Sequence, residues 1–215
     1  MSNRTLIVIL TWNRLKVTRN TIKTLFKHNG KDVNLLFIDN GSTDGTVEYL
    51  LEKGFDVIQN KTNKGVFNAS TKAWKEGVKK GYDYILNLQN DFPCTGKIPF
   101  EDLEAYMDNN DDVGMIRLNN KKDKKKNIVT GKKIRYESPE KIGSYTLSKN
   151  NYHAGFNPAL IRSTIIDDFS EYDGDNPRER ILMNNFNKLG LKCSKIMPEV
   201  FDTLKQGDHK GGWKH

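Results

Sequence analysis

"LLFIDNGSTDGT", Leu35–Thr46, is a run of apolar residues that stops at Asp39 and gives way to Asn, Gly, Ser, Thr, Asp and Gly. A strand that ends in a simple turn needs one or two such residues. A longer polar string after an apolar strand marks the place where an open α/β sheet binds ligands, outside the carboxyl ends of its strands. Asp39 is the first residue of that string.

The sequence on either side repeats the pattern. "TLIVILT" (Thr5–Thr11) is β-branched and apolar throughout, as a strand covered on both faces requires. Leu15, Thr18, Ile22, Leu25 and Phe26 recur at helical spacing, and Asn29-Gly30 closes that helix. "VNLLFI" (Val33–Ile38) predicts a second strand, with Ser42, Thr43 and Asp44 offering caps for a helix through Leu51. "FDVIQN" (Phe55–Asn60) predicts a short third strand. Phe67, Ser70, Ala73, Trp74 and Val78 mark a helical face, "YDYILNL" (Tyr82–Leu88) a fourth strand, Leu103 and Met107 a helix after Pro99, and "VGMIRL" (Val113–Leu118) another strand. This alternation predicts an α/β domain with a mostly parallel central sheet and helices on both faces. Beyond it, Ala159–Asp168 and Arg178–Leu189 read as helices and "LKCSKIM" (Leu191–Met197) as a late strand.

The chain has 215 residues, enough for one sizeable core, and shows no linker or internal repeat; one domain over residues 1–215 is expected. No apolar run is long enough to span a bilayer, and the first apolar run is too short for a secretory signal, so a cytoplasmic, at most membrane-peripheral, protein is expected. Two cysteines, Cys94 and Cys193, supply neither a metal spacing nor a disulfide framework. A net charge of +8 favours anionic partners: nucleotide phosphates, an anionic surface or nucleic acid. The lysine-rich run "NNKKDKKKN" (Asn119–Asn127) adds to that charge but lacks the interleaved aromatics that stack bases, which argues against nucleic acid.

Four polar clusters follow four apolar strands: "TWNR" (Thr11–Arg14), "DNGSTDGT" (Asp39–Thr46), "NKG" (Asn63–Gly65) and "QND" (Gln89–Asp91). An isolated Asp after a strand is most often a helix cap; four polar strand ends in succession, brought to one edge of a parallel sheet, ask for a ligand.

In that order the clusters resemble the family 2 glycosyltransferases, which have the GT-A fold. "LIVILTWNR" looks like the family's opening strand and turn, "FIDNGSTDGT" is close to its most recognisable string, "NKGVFNAS" resembles its next motif, and "LNLQND" falls where the family carries its metal-binding Asp-x-Asp. The likeness is good from Leu6 to about Asp91 and loose beyond. It implies a nucleotide-sugar-binding half over residues 1–118, and an acceptor-side half with a C-terminal loop over residues 119–215. It implies transfer of a sugar, with inversion, from a nucleotide-diphosphate donor, UDP-linked by preference, to a glycan, lipid-linked or protein acceptor. Asp39 would accept a hydrogen bond from the base, with Thr11, Asn13 and Arg14 lining the same pocket. Asn40 and Asp44 would belong to the nucleotide loop, while Asn63 and Gly65 would let backbone approach the donor.

The resemblance has departures. Gln89 and Asn90 stand at two positions that are acidic in the family, leaving Asp91 as the one carboxylate for Mn²⁺ or Mg²⁺. His209, in "QGDHKGGWKH", resembles the family's late His that closes over metal and diphosphate. Counting back from Gly190, Arg178 falls at the family's Glu and Glu179 at its catalytic Asp, so Glu179 is the candidate general base, with Asp175 and Asp173 as rivals. "NYHAGFNPALIR" (Asn151–Arg162) looks like the acceptor-side segment, in which a Gly precedes a short helix and His153 faces acceptor or diphosphate. The neutral Gln89 and Asn90 motivate a rival of another class: a nucleotide-sugar-binding protein that has the fold and has lost turnover.

Overall fold

β1 (Thr5–Thr11) is buried at every position, so it must run through the middle of a sheet rather than along its edge. Its side chains divide by parity: Ile7 and Ile9 enter one apolar cluster, and Leu6, Val8 and Leu10 enter another on the opposite face. The structure is a computed structural model that describes residues 3–119, 133–150, 158–166, 184, 186–198 and 200–201.

From β1 the chain alternates as expected through α1 (Leu15–Asn29), β2 (Leu35–Asp39), α2 (Thr46–Glu52), β3 (Val57–Gln59), α3 (Gly65–Lys79), β4 (Tyr84–Gln89), α4 (Phe100–Asp108) and β5 (Val113–Arg117). Four further strands follow: β6 (Glu140–Ile142), β7 (Tyr145–Asn150), β8 (Ala159–Arg162) and β9 (Lys192–Met197). The sheet order is β3-β2-β1-β4-β8-β5-β9-β7-β6. The first four strands in that order pair in parallel. β8 then runs antiparallel to both β4 and β5, β9 runs parallel to β5, and a β6–β7 hairpin closes the far edge in antiparallel pairing. The architecture is α/β, with a parallel half that carries the polar strand ends and a mixed half beside it.

α1, α2 and α4 pack Ile22, Leu25, Leu50, Leu103 and Met107 against one face. α3 covers the other with Ala69, Ala73 and Trp74. Trp74 is fully buried and donates its indole N–H to the Asn87 amide oxygen at 3.0 Å, so the one polar atom of that ring is satisfied inside the core.

One expected helix is a strand. Ala159–Arg162 pairs between β4 and β5, and only the next residues, Ser163–Ile165, make a short 3-10 turn. The apolar run of "ALIRSTII" fits either period; its placement decides. Leu160 faces one cluster while Ala159 and Ile161 face the other, which only a strand buried on both sides allows. Of the helix expected over Arg178–Leu189, residues 184 and 186–188 are helical and the rest lies outside the described residues. Both cysteines are buried free thiols, and burial pushes the Cys94 thiol up from its ordinary value.

Candidate active site

The carboxyl ends of β1, β2, β3 and β4 lie side by side, and backbone bonds extend the sheet past them. Asn40 N–H donates to the Thr11 carbonyl at 2.9 Å, Asn60 N–H to the Asp39 carbonyl at 2.9 Å, and Asn90 N–H to the Leu10 carbonyl at 3.0 Å. Thr11, Asn13, Arg14, Asp39, Asn40, Asp44, Asn63, Gly65, Gln89, Asn90 and Asp91 therefore gather on one edge. Glu179, Asp175, Asp173, His153 and His209 lie outside the described residues, as do Lys121–Lys126.

Asp39 is 1% exposed and its carboxylate is saturated. Oδ1 accepts from the hydroxyls of Thr11 (3.0 Å) and Ser42; Oδ2 accepts from the N–H groups of Gly41 (3.1 Å) and Ser42 (2.8 Å). Two of these donors are fixed amides and two are hydroxyls that can rotate. The loop after β2 is thus wound around the carboxylate that precedes it, and Gly41, at φ 84°, supplies the left-handed residue the winding needs.

Asn13 stitches the first turn to this loop. It is the one described residue other than glycine at positive φ (46°), a conformation Asn tolerates better than most. Its N–H donates to Ser42 Oγ at 2.9 Å, and its side-chain oxygen accepts from Thr43 N–H at 2.7 Å. Asp44 does similar work one step on, accepting from Leu15 N–H (2.8 Å), Thr46 N–H (3.1 Å) and the Thr46 hydroxyl (2.6 Å). It ties the start of α1 to the start of α2, whose N-cap position is taken by Gly45.

Asn40 latches the third cluster. Its amide nitrogen donates to Asn63 Oδ1 at 2.7 Å, while its oxygen accepts from Asn60 Nδ2 (3.1 Å) and Lys64 N–H (2.9 Å). Asn63 Oδ1 also accepts from Gly65 N–H at 2.8 Å. Just past β4, Asn90 turns inward, donating its side-chain amide to Thr18 Oγ1 at 3.0 Å and accepting at its backbone carbonyl from Thr21 Oγ1 at 2.6 Å. It anchors the strand end to α1 rather than offering its side chain to the edge.

Asp91 points the other way. Oδ2 accepts from Arg14 Nη1 at 3.2 Å, in a pair whose side chains are 9% and 12% exposed, and Oδ1 is buried with no hydrogen-bond partner among the described residues. Among those residues no three His, Cys, Asp or Glu side chains come together as a metal cage. A single buried carboxylate oxygen without a hydrogen-bond partner still suits a hard cation that takes most of its shell from phosphate oxygens and water.

Sequence reasoning missed the work of Thr18, which it read only as part of the periodic face of α1, and of Thr21, which it did not single out. Their signal was a pair of threonines three apart on a buried helix face. It also read Ser42 as a helix cap, whereas Ser42 braces Asp39 and Asn13.

The sequence profile described as Glycosyl transferase family 2 matches residues 6–170. The chain belongs to this family. No curated protein matches it in sequence. Solved structures share the fold at low identity. S. aureus TarS 1-349 in complex with UDP-GlcNAc has a TM-score of 0.67 and 13% identity over 94% of this chain and 59% of that one. The mannosyltransferase PcManGT from Pyrobaculum calidifontis, in complex with GDP-Man and Mn²⁺, has a TM-score of 0.63 and 10% identity over 97% and 58%. The chain therefore spans about six-tenths of the length of these neighbours. Among the described residues no helix is long and apolar enough to cross a membrane.

Proposed function

We propose that this family 2 domain transfers a sugar from a nucleotide-diphosphate donor, UDP-linked by preference, to an acceptor hydroxyl with inversion. The observation that carries the reading is the latched polar edge, with a saturated carboxylate at Asp39 and a half-satisfied one at Asp91. β2 and β4 flank β1, so the strand ends that lead to the two carboxylates lie two strand spacings apart, about 9.6 Å. That is the order of the reach from a pyrimidine ring to its second phosphate. Bound UDP-GlcNAc and GDP-Man in proteins of the same fold support the reading.

The base would meet Asp39 by displacing a hydroxyl. The imide N–H of uracil would take the place of the Thr11 or Ser42 hydroxyl on Oδ1, and the released hydroxyl would turn to a ring carbonyl. The two amides on Oδ2 would stay and keep the loop wound. Asn13, Asn40, Asp44, Asn63 and Gly65 would hold the walls, and the pair Asp91–Arg14 would face the diphosphate.

Asp91, with Gln89 and His209, would hold Mn²⁺ or Mg²⁺ beside the diphosphate. Such an ion offsets the negative charge that accumulates on the leaving group. Glu179 would take the proton from the acceptor hydroxyl, with Asp175 as the alternative. Placement of the acceptor oxygen against the anomeric carbon would supply much of the rate. The acceptor itself would be a glycan, a lipid-linked sugar or a protein.

The neutral residues at 89 and 90 favour a second reading, in which the domain binds nucleotide sugars without turning them over; the inward-turned Asn90 supports it. Incubation with a panel of UDP-sugars, Mn²⁺ and acceptors, followed for released UDP, separates the two. Transfer predicts acceptor-dependent UDP release that Asp91→Ala removes while UDP binding partly survives. It also predicts that Glu179→Gln lowers turnover far more than donor affinity. UDP binding without release for every donor and acceptor would favour the second reading, and full activity of Asp91→Ala in EDTA would remove Asp91 from the chemistry.

A further inference from the structure

We propose that Arg14 is the resident counter-cation of the candidate diphosphate subsite: it neutralises Asp91 before donor arrives, grips the diphosphate itself once donor binds, and competes with a divalent metal for Asp91. The inference rests on the reading that a nucleoside diphosphate binds this edge.

Three observations lead to it. The Arg14–Asp91 pair is nearly buried, at 9% and 12% side-chain exposure. Burying two charges costs desolvation that their attraction offsets only with good geometry and full hydrogen bonding. The geometry here is incomplete. A guanidinium placed to brace a carboxylate for structural reasons commonly grips both oxygens in a fork. Arg14 reaches Oδ2 alone at 3.2 Å, and Oδ1 stays buried and without a partner among the described residues. Such a half-made pair suits a site in which both groups exchange partners when an anion enters.

The second observation is the charge count at this strand end. Gln89 is neutral, and the Asn90 amide is committed to Thr18. Asp91 is then the one carboxylate of the "QND" turn, and Arg14 already balances its charge. Metal affinity of an oxygen site scales with the carboxylate charge it offers. A divalent ion entering without nucleotide would meet a neutral pair and have to displace a cation. A diphosphate entering without metal would meet a planar guanidinium suited to phosphate oxygens.

The third observation is the anchoring of Arg14. The turn that carries it is fixed by Asn13, through the bonds to Ser42 and Thr43, and by Asp44, through the bond to Leu15 N–H. The loop that holds Arg14 is thus the loop that braces Asp39, so base and diphosphate would be gripped from one rigid turn.

The test is titration of the purified chain and of Arg14→Gln and Arg14→Lys with three probes: UDP in EDTA, uridine in EDTA, and Mn²⁺ without nucleotide, the last by paramagnetic resonance. Thermal melts check folding. Wild type should bind UDP in EDTA more tightly than uridine. Arg14→Gln should lose about tenfold in metal-free UDP affinity, the worth of one charge-assisted bond, with uridine affinity unchanged. It should also bind Mn²⁺ more tightly than wild type does, since Asp91 is released. Arg14→Lys keeps the charge and loses the fork, so it should lose UDP affinity by less and leave Mn²⁺ binding near wild type; if Arg14→Gln fails to fold, this variant carries the test. Equal losses of uridine and UDP affinity would overturn the proposal by placing Arg14 at the base, and unchanged UDP and Mn²⁺ affinities would overturn it by making the pair purely structural. Wild type that binds neither UDP nor uridine, with or without Mn²⁺, would instead sink the donor reading, and this inference with it.

Discussion

Asp39 shows how a single carboxylate can set a loop. Buried without partners it would be costly; with four donors it becomes the post around which residues 40–44 wind. The same winding leaves Gly41 no room for a side chain. A Cβ there would sit 3.0 Å from the Thr62 carbonyl carbon and Cα and 3.2 Å from Asn63 N, all backbone atoms, at a φ of 84°. Gly41→Ala should therefore cost about 2–3 kcal/mol in chemical denaturation, from left-handed strain plus displacement of the neighbouring loop. It should also weaken UDP binding, because Asn63, the residue after Thr62, belongs to the latch around Asn40. Unchanged stability would mean that the two loops are not packed as described.

At the same scale, Asp39, Asn40, Asp44 and Asn63 were legible in the sequence because each follows an apolar strand within a polar string. What the string did not reveal is that Asn40, Asn63 and Asp44 spend their polar atoms on one another's loops. Asn90, read in the sequence as a neutral residue at an acidic family position, anchors the end of β4 to α1. Its destination depended on Thr18 and Thr21, 72 and 69 residues away in the chain, and no local pattern encodes such a pairing.

Among the elements, the strands buried on both faces were read with little error, because their residues are apolar without alternation. β6 and β7 went unread: "EKIGSYTLSKN" is mostly polar, as befits the far edge of a sheet. β8 was taken for a helix because a short apolar run fits both periods until its partners are known. α3 sits close on the sheet at Gly77. A Cβ there would lie 2.5 Å from Ile85 Cδ1 and 2.9 Å from Leu6 Cδ2, the far ends of two buried side chains. Gly77→Ala gains up to about 1 kcal/mol of helix propensity and loses about 1–3 kcal/mol to overpacking, so a net loss of about 1 kcal/mol is expected, with UDP affinity unchanged. A gain in thermal stability would contradict the tight seating of α3 on β1 and β4.

Across the whole molecule, charge is arranged differently at the two ends of the sheet. At the end remote from the candidate site, Arg4 donates to Asp83 at 2.6 Å and grips both oxygens of Asp108 at 2.7 and 3.1 Å, and the Tyr84 hydroxyl donates to Asp108. Arg4 first, and Tyr84 second, pull the Asp108 carboxyl from its ordinary 3.8 to about 2; burial, and then Asp108, push the Tyr84 phenol up to about 12. Because the folded value of Asp108 lies below the unfolded one, its stabilisation is complete above pH 3.8 and is lost as pH falls through about 2. The Arg4 and Asp108 side chains are 44% and 41% exposed, so solvent screening holds the contribution to no more than about 1 kcal/mol. Asp108→Asn should lower stability at neutral pH by that amount and flatten the acid limb of a denaturation series; an unchanged acid limb would show that the network carries no net energy.

The site end is the reverse: a saturated carboxylate at one strand end, a half-satisfied ion pair two strands away, and loops tied to one another rather than to solvent. A structure determined with UDP bound is the most direct measurement of what this edge is for. The expected result is a uracil ring against Thr11, Asp39 and Ser42, with the diphosphate running across β1 toward Arg14 and Asp91. A ring seated elsewhere on the surface, or no nucleotide at saturating UDP, would contradict it.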